Sequence, residues 1–213
     1  MGTQGPRGIL ISIEGGEGAG KSTVLDVLRA QLAQAGLEVV VTREPGGTVV
    51  GEAVRQLLLD PAGQLAAHTE LLLMFASRAQ LVRELILPAL GRGAAVLTDR
   101  FTDASFAYQG GGRGIDSAAI AELERCAALV KPDVTFLLDV GVDVGLARAR
   151  SRATPPDRIE NEKFEFFQRV RDVYLARARA EPGRFRIIDA SQSPEAVLAA
   201  VRDALADWLQ QRS

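Results

Sequence analysis

The stretch Gly15-Gly16-Glu17-Gly18-Ala19-Gly20-Lys21-Ser22 decides the fold of this chain, because it matches the pattern G-x-x-x-x-G-K-[ST]. An apolar run at residues 9–13 predicts a buried strand before it, and leucines at helical spacing follow it over residues 23–35. In this context the backbone N–H groups of the loop and the helix N-terminus bind phosphate. The sequence therefore predicts a loop that binds the phosphates of a nucleoside triphosphate.

Two side chains of this loop have predicted roles in nucleotide binding. Lys21 would reach the β- and γ-phosphates, and the hydroxyl of Ser22 would bind Mg²⁺. The alternative interpretation is a glycine-rich turn with an accidental lysine, and the flanking strand and helix argue against it. The predicted nucleotide-binding residues are Gly15, Gly16, Glu17, Gly18, Ala19, Gly20, Lys21, Ser22 and Thr23.

The rest of the chain alternates between predicted strands and helices. Further strands are predicted at residues 38–41, 94–98, 134–138 and 185–188. One long helix is predicted over residues 70–90. Apolar strands that alternate with helices predict an α/β fold, a parallel sheet of five strands with helices on both faces. The 213 residues fit a single domain.

Polar clusters follow three of the predicted strands. They lie at residues 15–22, 43–48 and 99–100. Ligands of open α/β sheets bind beyond the carboxyl ends of the strands. We therefore expect these clusters to form one site.

The composition narrows the class of protein. Hydrophobic residues make up 47% and charged residues 24%, as in a globular protein, and the net charge of −2 argues against nucleic-acid binding. The sequence contains no uninterrupted apolar run of about 20 residues, so no membrane partner is expected. Cys126 is the only cysteine, which excludes an intramolecular disulfide and favours a cytoplasmic protein.

Several classes of phosphate-binding protein share this loop. A regulatory GTPase needs an Asn/Thr-Lys-x-Asp motif after a strand, and the nearest match, Lys131-Pro132-Asp133, precedes one. The loop alone also leaves two other classes of protein possible. One is another nucleoside or nucleotide kinase, and the other is a non-catalytic ATP-binding module. A second substrate is indicated by Glu17, since a carboxylate inside a phosphate loop would repel phosphate but could bind a sugar hydroxyl.

Arginines at the predicted strand ends point to an anionic second substrate. Arg55, Arg78 and Arg100 follow or face strand ends, and guanidinium groups bind phosphate with bidentate, charge-assisted hydrogen bonds. For each arginine taken singly, a position on the solvated surface is the favoured interpretation. A basic segment later in the chain contains Arg148, Arg150, Arg152 and Arg158. It is interpreted either as a flap over a transferring phosphoryl group or as a charged helix surface.

Five motifs make the chain resemble the bacterial thymidylate kinases. They follow in the order and spacing of that family and extend over most of the chain. The motifs at residues 42–48 and 107–110 are together far more specific than the phosphate loop alone. The motifs are Glu14-Gly15-Gly16-Glu17-Gly18-Ala19-Gly20-Lys21-Ser22-Thr23, Thr42-Arg43-Glu44-Pro45-Gly46-Gly47-Thr48, Asp99-Arg100-Phe101, Ala107-Tyr108-Gln109-Gly110 and Asp157-Arg158-Ile159-Glu160.

The resemblance implies a fold and an activity. The fold would be that of P-loop nucleoside monophosphate kinases, with a short lid at residues 148–160. The activity would be transfer of the γ-phosphoryl group of ATP to dTMP, giving dTDP, with Mg²⁺ as cofactor. A homodimer is expected from the same resemblance. The apolar helices 70–90 and 117–130 are plausible parts of its interface, although burial in the core of one chain would explain their apolar character almost as well.

The resemblance also implies roles at the phosphate end of the site. Glu17 would meet the 3′-hydroxyl of the acceptor, and Arg55 and Arg100 would hold its phosphate. Other branches of the family carry an arginine in the phosphate loop where this chain has Gly18, and lid arginines would replace it. The residues implied in transfer are Lys21, Asp99, Arg100, Arg150, Arg152 and Arg158, with Ser22 and Asp99 near Mg²⁺.

At the base end the implied contacts involve a further set of residues. Tyr108 would lie against C2′ of the deoxyribose and leave no room for a ribose hydroxyl. The thymine edge would bind Arg78, Ser105 and Gln109, the sugar would pack on Pro45, and Glu44 would lie near the metal or the phosphates.

One position departs from the family pattern. The family usually stacks a phenylalanine on thymine four residues before the base-binding arginine, and here that position is Met74. Phe75 is its neighbour, three residues before Arg78. At either spacing the side chain lies on the same helix face as Arg78, so either Met74 or Phe75 could cover the thymine ring. The sequence leaves this alternative open.

Overall fold

The computed structural model describes residues 7–151 and 156–212, and it contains a sheet of five parallel strands. The strands lie in the order β2-β3-β1-β4-β5. The predicted α/β fold and the predicted five strands are confirmed. The strands are β1 (Ile9–Gly15), β2 (Val39–Arg43), β3 (Ala95–Asp99), β4 (Val134–Asp139) and β5 (Phe185–Asp189).

Helices connect the strands. They are α1 (Lys21–Gln34), α2 (Val49–Leu59), α3 (Ala67–Leu81), α4 (Leu87–Gly91), α5 (Thr102–Ser105), α6 (Ser117–Leu123), α7 (Val142–Arg150), α8 (Phe164–Ala180) and α9 (Pro194–Arg212). None of the helices within the described ranges combines the length and the apolar character that crossing a bilayer requires.

The helix predicted over residues 70–90 is interrupted. The π-helical turn Val82–Ile86 separates α3 from α4. Pro88 follows this turn, and a proline has no backbone N–H and its ring crowds the carbonyl four residues earlier. A regular α-helix therefore does not continue through this region. A second π-helical segment, Phe106–Gly112, extends α5.

Alternate side chains of β1 pack on opposite faces of the sheet, as the pleat of a strand requires. Ile11 belongs to a core cluster with Leu28 of α1 and Leu205 of α9. Leu10 belongs to a second cluster with Leu81 at the end of α3. The central strand is therefore buried from both sides, which explains its uninterrupted apolar sequence.

The strand order brings the polar clusters together. In the parallel registers, Ile13 lies beside Asp99, and Arg43 lies beside Asp99 on its other side. The phosphate loop, the end of β2 and the end of β3 consequently meet at one edge of the sheet.

Candidate functional site

A cleft of about 460 Å³ opens at the carboxyl edge of the sheet. One wall is the phosphate loop, and the other is formed by α2, α3 and the segment that precedes α8. Predicted site residues that line it are Glu17, Gly18, Ala19, Gly20, Lys21, Ser22, Glu44, Pro45, Arg55, Met74, Asp99, Arg100, Tyr108, Gln109 and Arg158. The walls belong to one continuous cavity, so two ligands could meet in it.

The phosphate loop is closed by its own lysine. Lys21 Nζ donates to Gly15 O at 3.3 Å and to Gly16 O at 3.1 Å. Gly20 adopts the left-handed region, with φ 89°, directly before α1. Burial, together with the nearby Arg100, lowers the pKa of Lys21. Because desolvation and a second cation both disfavour the charged lysine, an anion in the cleft would be bound favourably.

Gly18 is required by close packing. A Cβ atom built on Gly18 would lie 2.1 Å from Gly145 O of α7, and Gly18 has φ +67°. An arginine at this position would therefore displace α7. That the lid arginines take the place of a loop arginine stays a prediction.

Arg100 pairs with Glu17 of the phosphate loop. Its Nη2 donates to Glu17 Oε1 at 2.8 Å, and the two side chains are only 15% and 14% exposed. The hydroxyl of Tyr108 donates to the same oxygen at 2.9 Å. The guanidinium carbon of Arg100 also lies 4.5 Å from the centre of the Tyr108 ring. A cation, a carboxylate and a phenol thus converge beside the phosphate loop.

Arg55 and Pro45 form the adjacent part of the wall. Arg55 Nη1 donates to Pro45 O at 2.9 Å. Both residues line the cleft. The peptide bond between Glu44 and Pro45 is cis.

Arg78 is fully buried, with its side chain 0% exposed. Its Nε donates to Glu44 Oε2 at 2.8 Å, and its Nη1 donates to Ser105 Oγ at 3.0 Å. Its Nη2 donates to Phe101 O at 3.1 Å. Arg78 and Ser105 therefore lie behind the residues that line the cleft, joined to each other.

The structure separates Met74 from Phe75. Met74 lines the cleft. Phe75 packs in a core cluster with Leu71 and Phe106, and its ring lies 4.5 Å from the guanidinium carbon of Arg78. Of the two alternatives that the sequence left open, Met74 is the side chain in position to meet a ligand.

Glu70 is a site residue that the sequence analysis missed. It is 1% exposed and accepts a hydrogen bond from Gln109 Nε2 at 2.9 Å. Arg158 Nη2 donates to it at 2.7 Å, and Arg113 pairs with it at 3.1 Å. The available signal was helical spacing, because Glu70 lies four residues before Met74 on the same face of α3.

The remaining predicted residues lie at or beyond the margin of the cleft. Thr23 is exposed on α1, and Arg150 is exposed at the end of α7. Gly15 and Gly16 contribute carbonyl groups to Lys21. Arg152 lies outside the described residues.

Three buried oxygen atoms on cleft-lining residues make no hydrogen bond within the described ranges. They are Asp99 Oδ1, Glu44 Oε1 and Gln109 Oε1. Unpaired buried acceptors are rare in folded proteins. Their presence on cleft-lining residues fits a site that is completed by a ligand or a cation.

Glu14 is a buried carboxyl group below the loop. It accepts from Phe101 N at 2.7 Å and from the Tyr174 hydroxyl at 2.8 Å. Burial, together with the carboxylate of Asp103, raises the pKa of Glu14 to about 8. Since the folded state then binds more protons than the unfolded state above about pH 4.5, stability is lost as the pH rises towards 8.

We expect the free energy of unfolding to fall between pH 6 and pH 8 by up to about 1.4 kcal/mol per pH unit because of Glu14. Glu14→Gln should flatten this dependence, since the amide does not titrate. Urea unfolding of both proteins at pH 6, 7 and 8 measures the effect. Parallel curves for the two proteins would exclude Glu14 as the titrating group.

Comparison with known proteins assigns the family. A thymidylate kinase family model matches residues 13–201. A thymidylate kinase of Pseudomonas putida strain W619 is 53% identical over 206 residues, which cover 96% of this chain and 99% of that protein. A thymidylate kinase of Alcanivorax borkumensis is 54% identical, with 94% of this chain and 99% of that protein covered.

A solved structure agrees with the sequence relatives. The crystal structure of thymidylate kinase from Ehrlichia chaffeensis has a TM-score of 0.76 and 34% identity, covering 96% of this chain and 99% of that one. Because the family model spans most of the chain and the relatives align almost from end to end, this chain belongs to the thymidylate kinase family.

Proposed function

We propose that this chain is a dTMP kinase that transfers the γ-phosphoryl group of ATP to dTMP, giving dTDP for dTTP biosynthesis. Residues 1–213 act as a single kinase domain, with a lid at residues 148–160. The observation that carries the proposal is the single cleft that contains both the phosphate loop and the Arg100–Glu17 pair. Donor and acceptor phosphates could therefore meet end to end.

ATP binds at the loop side of the cleft. The N–H groups of residues 15–23 surround its phosphates, and Lys21 exchanges its carbonyl partners for the β- and γ-phosphates. This proposal is supported by the loop conformation and by the lowered pKa of Lys21. Phosphoryl transfer depends mainly on alignment and charge stabilisation, which these groups supply.

Mg²⁺ would be held by Ser22 and Asp99. The oxygen donors of both residues suit this cation, and Asp99 Oδ1 is buried without a partner within the described ranges. Among the described residues, no three His, Cys, Asp or Glu side chains lie close enough together to hold a metal ion by themselves. The remaining ligands would therefore be phosphate oxygens and water, as is usual for Mg²⁺. The ion would neutralise charge on the phosphates.

The acceptor phosphate binds to Arg55 and Arg100. Glu17 binds the 3′-hydroxyl, and Tyr108 closes the space beside C2′. This arrangement is supported by the common contact of Arg100 and Tyr108 with Glu17 Oε1. Because a phosphate is already an anion at neutral pH, no strong base is needed to activate it.

The thymine ring lies against Met74. Gln109 binds its polar edge. Arg78 is oriented by Ser105 and supported by Phe75 from the core, and it would reach the same edge only after the cleft-lining side chains in front of it move. The proposal is supported by the position of Met74 in the lining of the cleft and by the unpaired Gln109 Oε1. Pro45 packs on the sugar, and Glu44 keeps Arg78 in place.

The lid arginines stabilise the transferring phosphoryl group. Arg150 and Arg152 close over the phosphates, and Arg158 joins them only by leaving Glu70. The steric exclusion of a side chain at Gly18 supports this division of roles. The exposed position of Arg150 at the end of α7 supports it as well.

A panel of acceptors tests the proposed function. ADP release with dTMP, dUMP, dCMP and UMP should be fastest with dTMP. One methyl group in an apolar pocket contributes only about 1–3 kcal/mol, so dUMP should be a poor but measurable substrate. The amine and the unprotonated N3 of cytosine mismatch the donors and acceptors of Arg78 and Gln109, so dCMP should be slower still.

Equal rates with dCMP and dTMP would contradict the assigned base site. GTP hydrolysis without an acceptor would instead indicate a GTPase. ATP binding without acceptor-dependent ADP release would indicate a non-catalytic module. The same assay therefore separates all the alternatives.

The chain is proposed to act as a homodimer. Leu57 of α2 is 59% exposed and Leu72 of α3 is 58% exposed, and these helices pack side by side. Exposed leucines on adjacent helices suit a subunit interface. The molar mass measured by light scattering should be twice that of one chain.

A further inference from the structure

Arg100 has an unusual backbone conformation. It has φ 70°, in the left-handed region that a residue with a Cβ atom rarely adopts. Its N–H donates to Ile13 O at 3.0 Å, and the Thr98 hydroxyl donates to its carbonyl at 2.7 Å. Such conformations persist only where the surroundings hold them, and they are concentrated at functional sites.

Glu14 binds the backbone of Phe101, the residue after Arg100. Its Oε1 accepts the backbone N–H of Phe101 at 2.7 Å, and its side chain is fully buried. Glu14 also lies directly before the first glycine of the phosphate loop. The same carboxyl group therefore connects the loop to the backbone that carries Arg100.

Tyr174 connects Glu14 to the side chain of Arg100. Its hydroxyl donates to Glu14 Oε2 at 2.8 Å and accepts from Arg100 Nη1 at 3.3 Å. Burial raises the pKa of Tyr174 well above its usual value, so the hydroxyl keeps the proton that it donates. Tyr174 belongs to α8 and is 1% exposed, and it lies 160 residues from Glu14 in sequence.

The guanidinium of Arg100 is thus oriented from two sides. Nη1 is directed by Tyr174 and Nη2 by Glu17. A guanidinium has five N–H donors in a rigid fork, so two contacts set its plane and leave other donors for a ligand. Removing one contact would free the fork to rotate without removing its charge.

We propose that Tyr174, held by Glu14, is a positioning residue that orients Arg100 towards the phosphate of the acceptor nucleotide. The inference rests on the proposed function, in which Arg100 binds that phosphate. It adds a residue from α8 that touches neither substrate and acts only through Arg100.

The test separates the phosphate contact from the rest of the site. Calorimetry measures the dissociation constants of dTMP and of thymidine, which lacks the phosphate, and their ratio reports the phosphate contact. Tyr174→Phe retains the ring and removes the hydroxyl. It should lower the preference for dTMP over thymidine about tenfold, the usual effect of a lost hydrogen bond to a charged group. Thymidine binding itself should stay close to that of the wild type.

Ser12→Ala is the matched control. Ser12 is a fully buried hydroxyl on β1 that pairs with Thr135 at 2.7 Å and does not contact Arg100. Ser12→Ala should lose about as much stability as Tyr174→Phe but keep the dTMP preference of the wild type. An equal loss of preference in Ser12→Ala and Tyr174→Phe would assign the effect to general loosening and overturn the inference.

Arg100→Ala distinguishes the inference from the proposed function. If it leaves the preference for dTMP unchanged, the proposed phosphate contact is wrong. If it removes the preference while Tyr174→Phe retains it, only the positioning role is wrong. Glu14→Leu gives a second measurement should Tyr174→Phe fold poorly. Leucine accepts from neither Phe101 N nor the Tyr174 hydroxyl, so Tyr174 loses the group that holds it and the preference should again fall. An unchanged value would overturn the inference.

Discussion

Lys21→Ala is expected to lower turnover at least about a hundredfold, because it removes a donor that stabilises charge in the transition state, a loss of roughly 2.7–4 kcal/mol. In the structure Lys21 Nζ rests on the carbonyls of Gly15 and Gly16 at the edge of the cleft. Burial and the neighbouring Arg100 lower its pKa, and the phosphates of ATP would relieve this repulsion. Steady-state ADP release with dTMP measures turnover, and the KM for ATP should rise as well.

Lys131→Ala provides the control for this variant. Lys131 is 56% exposed and pairs with Glu181 at 3.7 Å, outside the cleft. Its replacement should leave turnover and the KM for ATP near their original values. Turnover of Lys21→Ala close to that of the wild type would remove Lys21 from the mechanism.

Arg100→Ala is also expected to lower turnover at least about a hundredfold. The variant loses the cation that brings two anionic substrates together, and it leaves the 14%-exposed Glu17 carboxylate without this partner. With Arg100 gone, less of the negative charge of Glu17 beside the phosphates would be offset, and both nucleotides would be repelled. The KM for dTMP should rise more than the KM for ATP, in contrast to Lys21→Ala.

Arg29→Ala controls for the loss of an arginine as such. Arg29 is exposed on α1 and does not line the cleft. Its replacement should change neither turnover nor the KM for dTMP. If Arg100→Ala raised the KM for ATP and left that for dTMP unchanged, Arg100 would belong to the donor site instead.

Much of the fold could be predicted from the sequence because its signals are local. The apolar run of β1, the glycine-rich loop and the leucines of α1 occupy consecutive residues, and each pattern has one physical interpretation. The same holds for the polar clusters, since the carboxyl ends of parallel strands always meet at one edge. The interruption of the helix before Pro88 could have been predicted from the proline itself.

The positions of individual side chains were harder to predict. Met74 and Phe75 differ by one residue, about 100° around a helix, and both spacings to Arg78 are compatible with contact. Packing decides between them, because Phe75 fits against Leu71 and Phe106 in the core and Met74 is left facing the cleft. The individual roles assigned to site residues stay predictions until the variants are measured.

The sequence by itself determined the class of fold, the phosphate loop and the family resemblance, because each depends on residues at fixed, short spacings. The tertiary structure alone decided that Glu70 binds Arg158 and that Tyr174 joins Glu14 to Arg100. These partners are 74 to 160 residues apart. Only the packing of α3 and α8 against the sheet brings them within hydrogen-bond distance, and no local pattern encodes which distant side chains will meet.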